Sequence, residues 1–220
     1  MKLLLATENQ GKLREMRALL PGFELVLPSE LGLRLDVEET GETFEDNARL
    51  KAENACRLSG LPSVADDSGL CVDALNGMPG VHSKRYGDEN LSDTGRNELL
   101  LQTLANTKRR AAKFVSVIVC CFPNGGEITA HGECTGEITR EPHGDNGFGY
   151  DPIFCVKNLN RTMAELSSEE KNDISHRGKA MRVLAEKLNR FNENMKAIAF
   201  MPEDFPSDKN SLKMKGNIND

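Results

Sequence analysis

Four groups of residues carry side chains that can do chemistry together. The first is Thr7-Glu8-Asn9-Gln10-Gly11-Lys12, which lies where a short apolar run gives way to a helical pattern. A turn from strand into helix presents unpaired backbone N–H groups and the positive end of a helix dipole. Thr7, Asn9 and Lys12 add hydroxyl, amide and ammonium donors, so phosphate is the natural ligand. The segment is not a Walker A loop, since it lacks the first Gly and the Gly-Lys-Ser/Thr ending, and alone it reads first as a helix cap beside a solvated lysine. The second group is acidic: Glu38, Glu39, Asp66 and Asp67. Adjacent Asp residues before Ser68-Gly69 suit Mg²⁺, a hard cation that takes oxygen ligands and keeps several waters; one carboxylate can hold metal while the other orients or deprotonates water. The competing reading is a solvated Asx turn. The third is Gly147-Phe148-Gly149-Tyr150-Asp151-Pro152, an aromatic pair among glycines in a chain with no Trp and 2 Tyr. Phe148 or Tyr150 can stack on a planar base, or plug an edge of the core. The fourth is Lys171 with Ser175-His176-Arg177-Gly178, cationic and donor groups gathered at the positive end of a helix. That is unfavourable unless an anion or a carbonyl lies nearby.

These groups need elements to position them. Lys2 to Thr7 reads as a strand, Asn9 to Leu20 as a helix with Leu13, Met16, Leu19 and Leu20 at helical spacing, and Phe23 to Leu27 as a second strand. Thr43 to Leu58 is the clearest helix of the first half, its Thr43 and Asp46 forming a capping start. Pro62 to Ala65 is expected to be a brief strand that delivers Asp66 and Asp67 at its end, where α/β folds place ligand groups. Leu70 to Leu75 follows, then a Gly/Pro-rich loop from Asn76 to Gly87. Thr94 to Leu104 reads as a helix. The β-branched run Val115 to Val119 reads as a strand, joined through Pro123-Asn124-Gly125-Gly126 to Glu127 to Thr139 as an antiparallel hairpin. Glu141 to Asp151 is expected to be a working loop, Ile153 to Val156 a short strand and Ser175 to Phe191 a closing helix. Beyond Asn192 the chain turns polar, and Pro202 to Asp220 reads as an appendage. Strands alternating with helices around one long hairpin give an α/β fold with a mixed sheet.

Composition narrows the function classes. The chain has 220 residues, 38% of them hydrophobic and 28% charged, which suffices for a packed core and excludes global disorder. With 28 Lys+Arg against 34 Asp+Glu the formal charge is −6, which argues against a nucleic-acid-binding surface. No apolar run approaches the ~20 residues of a membrane span, and the opening MKLLLAT lacks the length and cleavage site of a secretory signal. A cytoplasmic location is the expectation, with the six Cys reduced and mostly in the core. Together the four groups supply phosphate donors, a metal site, a stacking platform and base-edge donors, the parts of a nucleoside triphosphate site.

Five stretches, LATENQGK, EETGETFEDNARLKA, ADDSGLCVDALNGMPGVHSKRYG, GFGYDPIF and EEKNDISHRGKA, in this order, resemble the inosine triphosphatase family of purine NTP pyrophosphatases. The match covers Met1 to about Asn194, leaving 195–220 as a polar extension. The resemblance implies an elongated α/β fold with flanking helices, a homodimer, a Mg²⁺ requirement, and hydrolysis of ITP, dITP and XTP to the monophosphate and pyrophosphate. It places phosphate binding on Thr7, Glu8, Asn9, Gln10, Gly11, Lys12 and Lys51, and the metal on Glu39 and Asp67. Asp67 is also the general base, with Ser68 beside it. The base pocket falls on Phe148, Gly149, Tyr150, Asp151, Lys171, His176 and Arg177. The related Maf-type proteins share the architecture but open with a serine- and arginine-rich loop, against the TENQGK seen here. A silent nucleotide-binding regulator would lack a metal carboxylate, whereas Glu39 and Asp67 are both present.

Overall fold

The computed structural model of the chain describes residues 1–199. Strand β1 (Lys2–Leu5) leads into helix α1 (Gln10–Leu19), whose N-cap Asn9 accepts from the Lys12 amide, and then into β2 (Glu24–Val26). Helix α2 (Phe44–Ser59) starts on Thr43, whose hydroxyl accepts from the Asp46 amide, and ends on Gly60 at φ 67°. After it come β3 (Ser63–Val72), α3 (Asp93–Thr103) and the hairpin of β4 (Ala111–Cys121) and β5 (Glu127–Ile138). The chain closes with β6 (Phe154–Val156), α4 (Ser168–Ile174) and α5 (His176–Ala199).

Among the described residues, the six strands form one mixed sheet in the order β2-β1-β3-β4-β5-β6. β1 pairs in parallel with both β2 and β3, and the remaining pairs are antiparallel. The period of two along each strand sorts side chains onto two faces. Leu3, Leu5, Val64 and Ile118 pack with Leu13 and Met16 of α1 and with Leu184 and Leu188 of α5. Leu4, Ala65 and Val119 pack on the other face against Ala48, Ala52 and Ala55 of α2, small residues that let the helix sit close to the sheet. A third cluster, around Leu70, Leu100, Phe114 and Phe154, lies toward the far end of the hairpin.

With α1 on one face and α2 on the other, the chain switches sides around β1, and α/β sheets open a crevice at the carboxyl ends of the strands at such a point. Pairing of β1 with β3 stops at Leu5 and Val64. β3 continues past it, and this corrects the brief strand expected at Pro62 to Ala65. Asp66-Asp67-Ser68-Gly69 is not a turn but the middle of a ten-residue strand, because β4 pairs with it residue by residue from Ser63↔Cys121 to Val72↔Ala112. The segment 76–87, read as a loop, contains a 3₁₀ turn, Gly80–Arg85, that packs along β3. Lys171 sits on a separate helix, α4, which sequence reading did not resolve, while the expected cap Ser175 accepts from the Gly178 amide at 3.0 Å. α5 runs to Ala199, past the boundary at 194; the appendage Pro202 to Asp220 lies outside the described residues.

Candidate functional site

A cavity of about 400 Å³ opens at the β1/β3 crevice. It is lined by Thr7, Glu8, Asn9, Lys12, Glu39, Lys51, Asp67, Ser68, Phe148, Gly149, Tyr150, Asp151, Lys171, His176 and Arg177. Residues from five separated stretches of sequence thus meet in one place, with a volume suited to a small organic ligand. Gln10 and Gly11 are not on its wall. The Gln10 amide donates to the Glu8 carbonyl at 3.4 Å, and Gly11 lies under Phe148, whose ring would stand 2.6 Å from a Cβ at that position.

Alternation along β3 sends the two adjacent carboxylates to opposite faces of the sheet. Asp66 points toward α1 and α5 and is 2% exposed. It receives Lys12 Nζ at 2.5 Å, Ser116 Oγ at 2.6 Å, Ser68 Oγ at 3.1 Å and Arg177 Nε at 3.4 Å. Burial opposes charge on both members of the Lys12–Asp66 pair and lowers the Lys12 pKa. For Asp66 it is outweighed by Lys12 and Arg177, which hold the carboxyl well below the usual carboxylate range.

Asp67 points toward α2. Lys51 Nζ lies 2.9 Å from Asp67 Oδ1 and 2.9 Å from Glu39 Oε1, and Arg85 Nη1 reaches Glu39 Oε2 at 3.3 Å. Asp67 Oδ2 is buried without a hydrogen-bond partner. Burial raises the Asp67 pKa, with Lys51 opposing; Lys51 itself, despite burial, is raised by Asp67 and Glu39. One ammonium already touches both carboxylates, so this donor pair can share a cation. Among the described residues no three His, Cys, Asp or Glu converge as a closed metal site. Two carboxylates are the kind of oxygen donor that Mg²⁺ takes, with the rest of its shell left to water and phosphate.

At the other end of the cavity Phe148 stands beside two cations, 4.6 Å from Lys171 Nζ and 5.6 Å from Arg177 Cζ, measured to the ring centroid. Its amide donates to Asp151 Oδ2 at 2.8 Å, and the same oxygen takes Lys171 Nζ at 2.7 Å. Gly147 allows this return of the chain, with φ 78° and no room for a Cβ, which would stand 2.1 Å from Asp151 Oδ2. Tyr150 is 5% exposed and its hydroxyl is spent on the Ser83 carbonyl at 2.8 Å, so of the two aromatics Phe148 is the one left to stack on a ligand.

Arg177 donates from Nε to Asp66, from Nη1 to Glu15 and from Nη2 to Ser68, which uses three of the five guanidinium N–H groups. His176 stacks on Phe114 at 4.7 Å between centroids, and its Nδ1 is buried without a partner. Burial, with Arg177 adjacent, holds its pKa well below the ordinary histidine value, so the ring is neutral at pH 7. Sequence reading missed Glu15, which binds Lys171 at 2.9 Å as well as Arg177. Its only signal is its place three residues after Lys12 on the same helix face.

Several known proteins resemble this chain in sequence and in fold. A curated dITP/XTP pyrophosphatase of Staphylococcus epidermidis is 50% identical over 186 residues, spanning 84% of this chain and 95% of that protein. One of Aquifex aeolicus is 49% identical over 201 residues, spanning 86% and 96% respectively. The solved structure of the Staphylococcus aureus Ham1 protein superposes with a TM-score of 0.80 at 46% identity, covering 87% of this chain and 100% of that one. That of a nucleoside-triphosphatase, a dITP/XTP pyrophosphatase, from Mycobacterium abscessus gives 0.68 at 44% identity, covering 86% and 100%. A family model for the Ham1 family matches residues 3–187, which contain every residue of the cavity wall, and the chain therefore belongs to the Ham1 family.

Proposed function

We propose that this chain hydrolyses dITP, ITP and XTP to the monophosphate and pyrophosphate. The observation that carries the reading is the single cavity that joins the α1 cradle, the Glu39–Lys51–Asp67 group and the Phe148 platform with its cations. Relatives about half identical in sequence carry the name dITP/XTP pyrophosphatase.

The triphosphate lies along the start of α1, where Thr7, Asn9 and Lys12 offer donors at the positive end of the helix. Lys51 adds charge from α2. Glu39 and Asp67 are the residues that would hold Mg²⁺, which when bound supplies neutralisation of phosphate oxygens. Asp67 Oδ2, unpartnered and buried, takes the proton of the water that attacks the α-phosphorus, and pyrophosphate leaves. Phe148 covers the base. Arg177, with two N–H groups left, and the neutral His176 face its edge. Hypoxanthine and xanthine present a 6-keto acceptor there where adenine presents an amino donor, which would leave the pocket's donors unpaired. The reading includes a homodimer, as the resemblance implies.

The test is pyrophosphate release from a panel of ITP, dITP, XTP, GTP and ATP with Mg²⁺ and after its removal by a chelator. Turnover of the first three, lost with the chelator and restored by Mg²⁺, is the expected result. Release of inorganic phosphate rather than pyrophosphate would overturn it. A second expectation concerns recognition: Arg177→Ala should cost ITP hydrolysis ~1.5–3 kcal/mol while the low ATP hydrolysis changes little, a collapse of selectivity by about ten- to a hundredfold. Because Asp66 and Glu15 lose a buried partner in this variant, it is assayed at a temperature where circular dichroism shows it folded. An equal loss with ITP and ATP would make Arg177 a phosphate or structural residue.

A further inference from the structure

Helix α3 carries no residue that the motifs single out, yet its N-terminal half grips the loop that bears Phe148. The Gly149 amide donates to Asp93 Oδ2 at 2.8 Å, and the Gly149 carbonyl accepts from Asn97 Nδ2 at 3.0 Å. Both backbone groups of one residue are therefore held by one helix. Asp93 is in turn aimed by Arg96, whose Nη1 meets Asp93 Oδ1 at 3.1 Å while its Nη2 donates to the Leu91 carbonyl at 2.8 Å. Arg96 and Asn97 are 5% and 4% exposed, and Asp93 and Arg96 line the cavity.

The loop needs such a grip. Gly144, Gly147 and Gly149 all have positive φ, and glycine there confers no stiffness of its own. Phe148 is tied to Asp151 by its own amide, which donates to Oδ2, and by its carbonyl, which accepts from the Asp151 amide at 3.3 Å, while the next residue, Gly149, is held by α3. Neither Asp93 nor Asn97 hydrogen-bonds to Lys12, Glu39, Lys51 or Asp67, so the grip acts on the platform and not on the groups around the phosphates.

We propose that Asn97 and Asp93 are positioning residues for purine selection, holding Gly149 so that the Phe148 ring stays beside Lys171 and Arg177 and the keto base enters a preformed slot. The inference rests on the proposed function and deepens it. Preorganisation of a binding loop lowers the ordering cost of binding, and its loss raises KM with kcat kept.

The experiment uses the full chain with ITP, XTP and ATP. Asn97→Asp keeps the size of the side chain but sets a carboxylate against the Gly149 carbonyl. It should raise KM for ITP and XTP about tenfold, leave kcat within about twofold and lower the ITP/ATP ratio of kcat/KM correspondingly. Inhibition by pyrophosphate, which engages only the phosphate end, should be unchanged. The Asp93 side chain is 57% exposed, so Asp93→Ala tests the other half of the grip without a buried vacancy. It should shift KM in the same direction, and Asp93→Asn, which retains an acceptor for the Gly149 amide, should restore most of the loss. Wild-type KM and selectivity in both Asn97→Asp and Asp93→Ala would overturn the proposal, as would a fall in kcat equal for ITP and ATP. A wild-type protein that releases no pyrophosphate from ITP or XTP would instead overturn the functional reading beneath it.

Discussion

Replacing Asp67 by asparagine should leave the fold intact and lower kcat for ITP and XTP by at least ~10²-fold, the scale for removal of a positioned base. Asparagine has nearly the same volume, and its amide oxygen can still accept from Lys51, whose other partner, Glu39, is untouched. The substitution removes the negative charge and the basicity of Oδ2, the one oxygen of the pair left without a partner. Burial raises the pKa of this carboxyl, and a base with a higher pKa takes a proton from water more readily than an ordinary exposed aspartate. Pyrophosphate release at saturating nucleotide and Mg²⁺, beside a melting curve by circular dichroism, checks both halves of the expectation. Turnover close to wild type would remove Asp67 from the chemistry. A wild-type melting temperature with the expected loss would separate its chemical role from any structural one.

How much of this is legible in the sequence differs by element. α1, α2, α3 and the hairpin follow from apolar spacing, caps and a Pro-Asn-Gly-Gly turn, because local chemistry fixes them. The run through Asp66-Asp67-Ser68-Gly69 does not. Asp, Ser and Gly favour turns locally, and what overrides that preference is pairing with β4, some fifty residues away, together with buried donors for Asp66. The separate helix α4 was lost because its seven residues give too short an apolar pattern, although Ser167 and Glu170 form a capping box.

The site divides in the same way. Lys12, Glu39, Lys51, Asp67, Phe148, Lys171, His176 and Arg177 are carried by motifs, and all of them reach the cavity. Glu15, Asp93 and Asn97 stand on helices whose exposed positions normally hold such residues, so their types carry no signal. Their contacts with the cations and the glycine loop appear only in the packing of α1 against α5 and the approach of the loop to α3. Asp66 is the intermediate case. It is half of a visible pair, but the reason it is not interchangeable with Asp67 is the alternation of a strand that the sequence presents as a turn.

Asp66 is accordingly the residue whose loss should cost the fold most. Truncation to alanine leaves Lys12 and Arg177, both on the cavity wall, without the carboxylate they share and the buried Ser116 without its acceptor. Removing one partner of a buried, hydrogen-bonded charge group costs about 3–5 kcal/mol, because what remains is an uncompensated charge. For a chain of this length that is a melting temperature lower by roughly 2–4 °C per kcal/mol. The pH dependence separates this from a packing defect. The folded-state pKa of Asp66 is depressed below its unfolded value of about 3.9, so its contribution is complete above that value and is lost as pH falls through the folded one. The difference in unfolding free energy between wild type and Asp66→Ala should therefore be largest near neutral pH and shrink on acidification below about pH 4. A double-mutant cycle with Lys12→Met completes the test. If Asp66 acts through its charge partners, the second substitution should recover part of the loss; strictly additive costs, or a difference that does not change with pH, would show that Asp66 merely fills space. The cycle also bears on the site, since the proposed function gives Lys12 to the phosphates and Arg177 to the base. A carboxylate that both require ties the geometry of one end to that of the other before any nucleotide arrives.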